Sequence, residues 1–392
     1  MTRMTPREMR FLVLAGILYG AVAIPTGVRR GGDLEAHFAA ARLWIQGLQL
    51  YAHPPRVGVW WPPLAVLLVV PFALAAQLSA AVAKGAWAVG SLVCLGWSIA
   101  RLPRDRWQSV ALALAAVAAP LHRNFEDLNL NGVLLALLVA AAYELGRGRE
   151  GRAGAWIGAA TALKVFPAVW LLYLAYRRHW RALVIGIAVA AGLTLAPLLR
   201  YGAPGAFDAV RDWLANSSPV AWTQGGSNQS LSTLATRLHL PGAGLAVLDI
   251  ACIALGVVAL RRPKVTDAAF EELAVVGLVA VLLSPIAWVH YFLFALPVWI
   301  VAQRLPSQGR ARAWSFALLL AGLATSGIAT VWSLSLRDAV FNLSLYTWGA
   351  LLLLCVVAFA PRSPALLKAW PGQRPGFRSR GPSGTSGGTP PP

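Results

Sequence analysis

The sequence predicts an all-α polytopic membrane protein, and three observations carry that prediction. Hydrophobic residues fill 58% of the 392 positions and charged residues only 12%, about half the charged share of a water-soluble domain. Mean hydropathy is +0.62, and the apolar residues gather in about ten blocks, each long enough to cross a hydrocarbon core. The formal charge of +19 would suggest nucleic acid in a soluble chain. Here Arg and Lys stand in short clusters between apolar blocks, the pattern left by positive-inside insertion, so the expected partner is membrane lipid and not nucleic acid.

Taken in order, the blocks begin near Phe11, Ala80, Ser109, Leu130, Ala182, Gly244, Ala269, Val289, Ala313 and Phe341, and each is expected to be a crossing helix. Basic clusters at Arg3/Arg7/Arg10, Arg101/Arg104/Arg106, Arg147/Arg149/Arg152, Arg177/Arg178/Arg181, Arg261/Arg262/Lys264, Arg304/Arg310/Arg312 and residues 362–380 are placed on the cytoplasmic side. Two further apolar segments do not fit a simple crossing. Residues 153–176 carry a basic cluster at each end, so they are expected to enter and return as two half-helices meeting at Lys164-Val165-Phe166-Pro167, where proline removes a helix hydrogen bond. Residues 62–77, expected to be broken at Pro71, are read as a shallow helix that starts and ends on the outer side.

This arrangement makes residues 1–360 one transmembrane domain and residues 361–392 a disordered, Gly/Pro/Ser-rich cytoplasmic tail. The outer face receives residues 27–61, 122–129, 201–243, 284–288 and 333–338. In the first loop Leu34, Phe38, Ala41 and Ile45 recur at helical spacing, and residues 207–214 predict a second short helix, both suited to lying along the membrane surface. Cys94, Cys252 and Cys355 lie in apolar stretches with no metal-ligand or disulfide spacing.

Polar groups near the outer face are few and therefore informative. Asp33, after Gly31-Gly32, is read as a helix cap or as a general base held at the membrane surface, with His37 one turn on. Lys164, at the tip of the paired half-helices, is read as a snorkelling lysine or as a cation for a lipid-linked phosphate. Glu126 and Asp127 are either a solvated ion pair with Arg123 or substrate ligands, Asn228 and Gln229 either cap a helix or bind substrate, and His290 either packs at the interface or takes part in catalysis. Asp-x-Asp, GxxxxGK[ST], HExxH and GxSxG patterns do not occur, so nucleotide-driven transport and metal-bound nucleotide-sugar chemistry lose weight.

Six runs in the same order, GGDLEAHFAAARLWIQGLQLY, WWPPLAVLLVVPFALA, NLNGVLLALL, GAATALKVFPAVWLLYL, NQSLSTLATRL and LLSPIAWVHYFLFALP, resemble glycosyltransferase family 87. That family belongs to the GT-C superfamily and includes polyprenyl-phosphate-mannose-dependent α-mannosyltransferases. The resemblance implies a catalytic aspartate at Asp33, a lysine at Lys164 in the Leu-Lys-x-Phe-Pro motif, and a histidine at His290 after the Ser-Pro segment. Leu128-Asn129-Leu130-Asn131 stands where the family commonly has Gly-Gln-x-Asn. The implied reaction is inverting transfer of a hexose, mannose first, from a polyprenyl-phosphate donor to a lipid or glycan hydroxyl at the outer face of the cytoplasmic membrane, with no metal or other cofactor. A flippase for a lipid-linked sugar is the competing reading, but the acidic residues and long loops concentrate on one side, unlike the repeated halves of secondary transporters.

Overall fold

A computed structural model describes residues 5–51, 61–103, 107–216, 227–264, 267–305, 311–327 and 334–362. Of the expected tail, residues 361–362 are described and the rest lies outside the described residues, as do residues 52–60 and 217–226 of the two long outer loops. All ten apolar blocks fold as helix. The helices are α1 (Pro6–Arg30), α2 (Gly32–Ile45), α3 (Pro63–Leu78), α4 (Ala80–Arg101), α5 (Trp107–Ala116), α6 (Ala118–Glu126), α7 (Asn131–Leu145), α8 (Glu150–Leu163), α9 (Val169–Tyr176) and α10 (Trp180–Leu195). They continue as α11 (Gly202–Asn216), α12 (Leu231–Arg237), α13 (Gly242–Arg261), α14 (Ala268–Leu283), α15 (Ala295–Ala302), α16 (Ala311–Ser326), α17 (Leu334–Asn342) and α18 (Leu345–Phe359). Short 3-10 turns at Phe166–Ala168 and Val289–Phe294 lead into α9 and α15.

The helices that these blocks form differ in length. Among the described residues four helical runs are long and apolar enough to span a bilayer, namely Pro6–Arg30, Ala80–Arg101, Trp180–Ala215 and Gly242–Arg261. A fifth is the pair Leu336–Asn342 and Leu345–Phe359, bent by 56°. The other helices are shorter because the chain interrupts them: at Val117, which leaves helical geometry (φ −117°, ψ 23°), and at Lys164, which is extended (φ −154°, ψ 139°). Two expected loop features are also corrected. Helix α3 runs through Pro71 unbroken, and residues 122–126 belong to α6, leaving only 127–130 as the turn into α7. Helix α14 and the Val289–Ala302 segment are buried almost throughout and form the bundle's axis.

One end of the bundle collects basic clusters and their carboxylates. Arg177 donates to Glu272 and to the Leu260 carbonyl, Arg362 meets Glu271 at 2.7 Å, and His179 Nδ1 lies 2.7 Å from Glu150 Oε1. That last contact ties the start of α8 to the start of α10, so residues 150–179 return to the level at which they began. Helix α8, of 14 residues, rises about 21 Å from there and stops at Lys164, and α9 comes back. Helices α7 and α8 form an antiparallel hairpin through the turn at 146–149, where Gly148 has φ 70°.

Helix α8 also lies closely along α10. A Cβ on Gly154 would strike the Ala182 carbonyl, and one on Gly158 the Gly186 carbonyl. This is a Gly-x-x-x-Gly contact, in which small residues let membrane helices approach to backbone distance.

Candidate active site

At the end opposite the basic clusters three turns converge: Gly31 between α1 and α2, residues 127–130 between α6 and α7, and residues 284–288 ahead of the 3-10 turn. Gly31 sits at φ 48°, and its N–H donates to the Glu126 carbonyl at 3.0 Å. A side chain there would be strained by the left-handed backbone and would approach both the Gly27 carbonyl and Lys84. Gly31, without a side-chain bond, is the N-cap of α2. Asp33 is thus not the cap but a first-turn residue, and its carboxylate instead accepts a hydrogen bond from Asn129 Nδ2.

Asn129 links two charged groups. Its amide nitrogen faces Asp33 while its Oδ1 accepts from Lys164 Nζ at 3.0 Å. Lys164 Nζ also donates to Asn131 Oδ1 at 3.0 Å and lies 3.9 Å from the centre of the Tyr291 ring. Only 6% of Lys164 is exposed, so the snorkelling reading does not hold. Asn131 Nδ2 in turn donates to the His290 carbonyl at 3.0 Å. The three residues singled out from distant motifs, Asp33, Lys164 and His290, are brought together, and the asparagines that join them are the ones sequence reasoning left without a role. The available signal was the Asn-x-Asn spacing at the start of a helix.

His290 is buried, with Nδ1 3.4 Å from Asp127 Oδ2 and, among the described residues, no hydrogen-bond partner for Nε2. It lines a cavity of about 210 Å³ together with Asp33, Asp127, Arg123, Trp288 and Phe341. A buried ring nitrogen left unpaired costs free energy. Burial works to raise the Asp127 carboxyl, but the hydrogen bond and charge of His290, with Arg123 and Arg30, outweigh it and hold Asp127 below the usual carboxylate range.

The remaining expected site residues lie around this arrangement with the following contacts. Glu126 is clasped by Arg30 at 2.8 Å and by Arg123 at 2.7 Å. His37 takes the Asp33 carbonyl on Nδ1 at 2.6 Å and stacks on Trp61, with centroids 3.4 Å apart. Burial lowers its imidazole to about 3, so it is neutral near pH 7. Asn228 does not cap α12, since Ser230 does. Its side chain accepts from the Ala287 N–H at 2.9 Å and donates to the Pro285 carbonyl at 3.0 Å. The Gln229 N–H donates to the Ala287 carbonyl at 2.8 Å, and its side chain reaches the Phe341 carbonyl at 3.1 Å. Both residues are fully buried and brace the loop that presents His290.

A helical membrane bundle with a carboxylate, an amine and an imidazole gathered at one end is the setting of a membrane glycosyltransferase, and comparison with known proteins bears this out. The chain belongs to glycosyltransferase family 87, which matches residues 60–285, more than half its length. It is 28% identical over 366 residues to a polyprenol-phosphate-mannose-dependent alpha-(1-2)-phosphatidylinositol mannoside mannosyltransferase of Mycolicibacterium smegmatis, covering 83% of this chain and 81% of that protein. A Mycobacterium tuberculosis protein of the same description is 27% identical over 74% of each chain. A pentamannoside mannosyltransferase of M. tuberculosis is 26% identical over 64% of this chain and 58% of its own. No solved structure matches.

Proposed function

We propose that the protein transfers mannose from a polyprenyl-phosphate donor to a hydroxyl of a phosphatidylinositol mannoside or a similar lipid glycan, at the outer face of the cytoplasmic membrane. The substrate classes come from the relatives' descriptions. The sidedness is supported by the basic clusters, which gather at the end away from the cavity. The observation that carries the chemistry is the chain of contacts Asp33–Asn129–Lys164, set beside a cavity that Asp33 and His290 both line.

In one displacement the acceptor oxygen attacks the anomeric carbon, its proton passes to the Asp33 carboxylate, and the bond from that carbon to the phosphate oxygen breaks with inversion. The polyprenyl phosphate departs with the bonding electrons. His290, oriented by Asp127, and Arg123 face the growing charge from the cavity wall. Lys164 was expected to meet that phosphate. In this reading Lys164, hydrogen-bonded to both asparagines, holds Asn129 and through it orients Asp33, which makes Lys164 and Asn129 positioning residues.

The test is Asp33→Asn in purified protein supplied with polyprenyl-phosphate mannose and a phosphatidylinositol mannoside. Transfer is expected to fall at least about a hundredfold, the lower range for loss of a general base, with the melting temperature preserved. Wild-type turnover by a folded variant overturns the assignment.

A further inference from the structure

Beside the catalytic cavity lies a second one of about 310 Å³, enclosed by α6, the end of α16, α17 and the start of α18, which shares Arg123, Val289 and Phe341 with the first. Four cationic or protonatable side chains face it: Arg30, His122, Arg123 and Arg337. The carboxylate in its wall is Glu126, which Arg30 and Arg123 already clasp and which His122 approaches at 3.8 Å. Arg337 contacts its neighbour Asp338 at 3.5 Å, and 38% of its side chain is exposed. Positive charge therefore exceeds negative in the wall, while Ala118, Ala119 and Phe341 supply apolar surface.

We infer that this cavity takes the phosphodiester of the acceptor lipid while the acceptor's sugar enters the catalytic cavity next door. The inference rests on the mannosyl-transfer reading above. Two phosphates must be accommodated in that reaction, and their chemistry separates them. The donor phosphate is bonded to the carbon under attack, so it belongs in the catalytic cavity with Asp33 and His290. The acceptor phosphate is at least one ring away from the attacking hydroxyl, which suits an adjoining pocket. Arg123 stands in the wall common to both, and guanidinium groups bind phosphate through two parallel hydrogen bonds.

The experiment compares wild type, Arg337→Gln and Arg337→Lys in phosphatidylcholine nanodiscs, with a phosphatidylinositol mannoside and a phosphate-free alkyl α-mannoside as alternative acceptors. Arg337→Gln is expected to raise KM for the phosphate-bearing acceptor about tenfold, the cost of one charge-assisted hydrogen bond. KM for the alkyl mannoside and for the donor should be unchanged, and Arg337→Lys should recover part of the loss. An equal effect on both acceptors, or a rise in donor KM, overturns the inference. Retention of phosphatidylinositol against diacylglycerol, read by native mass spectrometry without donor, keeps the question separate from catalysis. If the wild type transfers no mannose, the proposed function fails, yet loss of phosphatidylinositol retention in Arg337→Gln still supports the site. Equal retention by wild type and variant refutes it.

Discussion

Replacing Asn129 by alanine isolates the contact on which the proposed mechanism depends. The substitution deletes a hydrogen bond to the Asp33 carboxylate and another from Lys164 Nζ. Each belongs to the charge-assisted class worth about 1.5–3 kcal/mol. Only the first bears directly on the reacting carboxylate. At about 1.4 kcal/mol per decade, its loss predicts a fall in kcat of roughly ten- to a hundredfold. Lys164 keeps Asn131 and the Tyr291 ring, so the variant should still fold, with a lowered melting temperature, and KM for either substrate should change less than kcat. Combining Asn129→Ala with Lys164→Met extends the argument, because an amine that acts through Asn129 has little left to lose once the amide is gone. The two effects on kcat should be strongly non-additive. Steady-state kinetics on the two single variants and the double variant provide the readout. Wild-type kcat in folded Asn129→Ala, or simple additivity in the double variant, refutes the idea that Lys164 works through the amide.

Two further outcomes are expected. His37 titrates near 6.5 when unfolded but only near 3 when folded, so the unfolded chain binds the extra proton between those values and stability falls as pH drops through that window. The loss is about 1.4 kcal/mol per unit below 6.5, or roughly 2 kcal/mol at pH 5. His37→Phe keeps a ring on Trp61 without a titrating group, so its melting temperature should drop less than the wild type's between pH 7 and pH 5, and equal drops would sink the argument. Gly158→Val puts a side chain against the Gly186 carbonyl and forces α8 away from α10, which should cost about 1–3 kcal/mol and reduce the monodisperse fraction in size exclusion. Unchanged thermal stability would show that the two helices have room to spare.

Much of this arrangement was legible in the sequence, for identifiable reasons. Asp33, Lys164 and His290 stand out because an ionisable residue amid apolar neighbours needs a partner, and the structure places them around one cavity wall and its support. The return of residues 150–179 followed from basic clusters on both sides of a span too short to cross twice. What sequence alone did not settle was the direction in which amides face. Asn228 and Gln229 turn their amide nitrogens to backbone carbonyls of the 284–288 loop and α17, whereas Asn129 and Asn131, noted only as a departure from a family pattern, join Asp33, Lys164 and the His290 carbonyl. Hydrophobicity likewise counted ten apolar blocks correctly but not their lengths as helices, because breaks such as Val117 and the bend before α18 depend on tertiary packing.

The α7–α8 hairpin has a further consequence. Its arms are 15 and 14 residues long, and both are measured from the same turn at 146–149, so Asn131 at one tip meets Lys164 at the other only because the arms match. The pair works as a gauge. One residue added to either arm alone shifts its tip by about 1.5 Å and rotates it by about 100°, enough to carry the amine off both asparagines. Length can therefore change within the far turn without disturbing the chemistry, while the arms are free to change only together, so a site at one face of the bundle is kept in register by equal counting from the other.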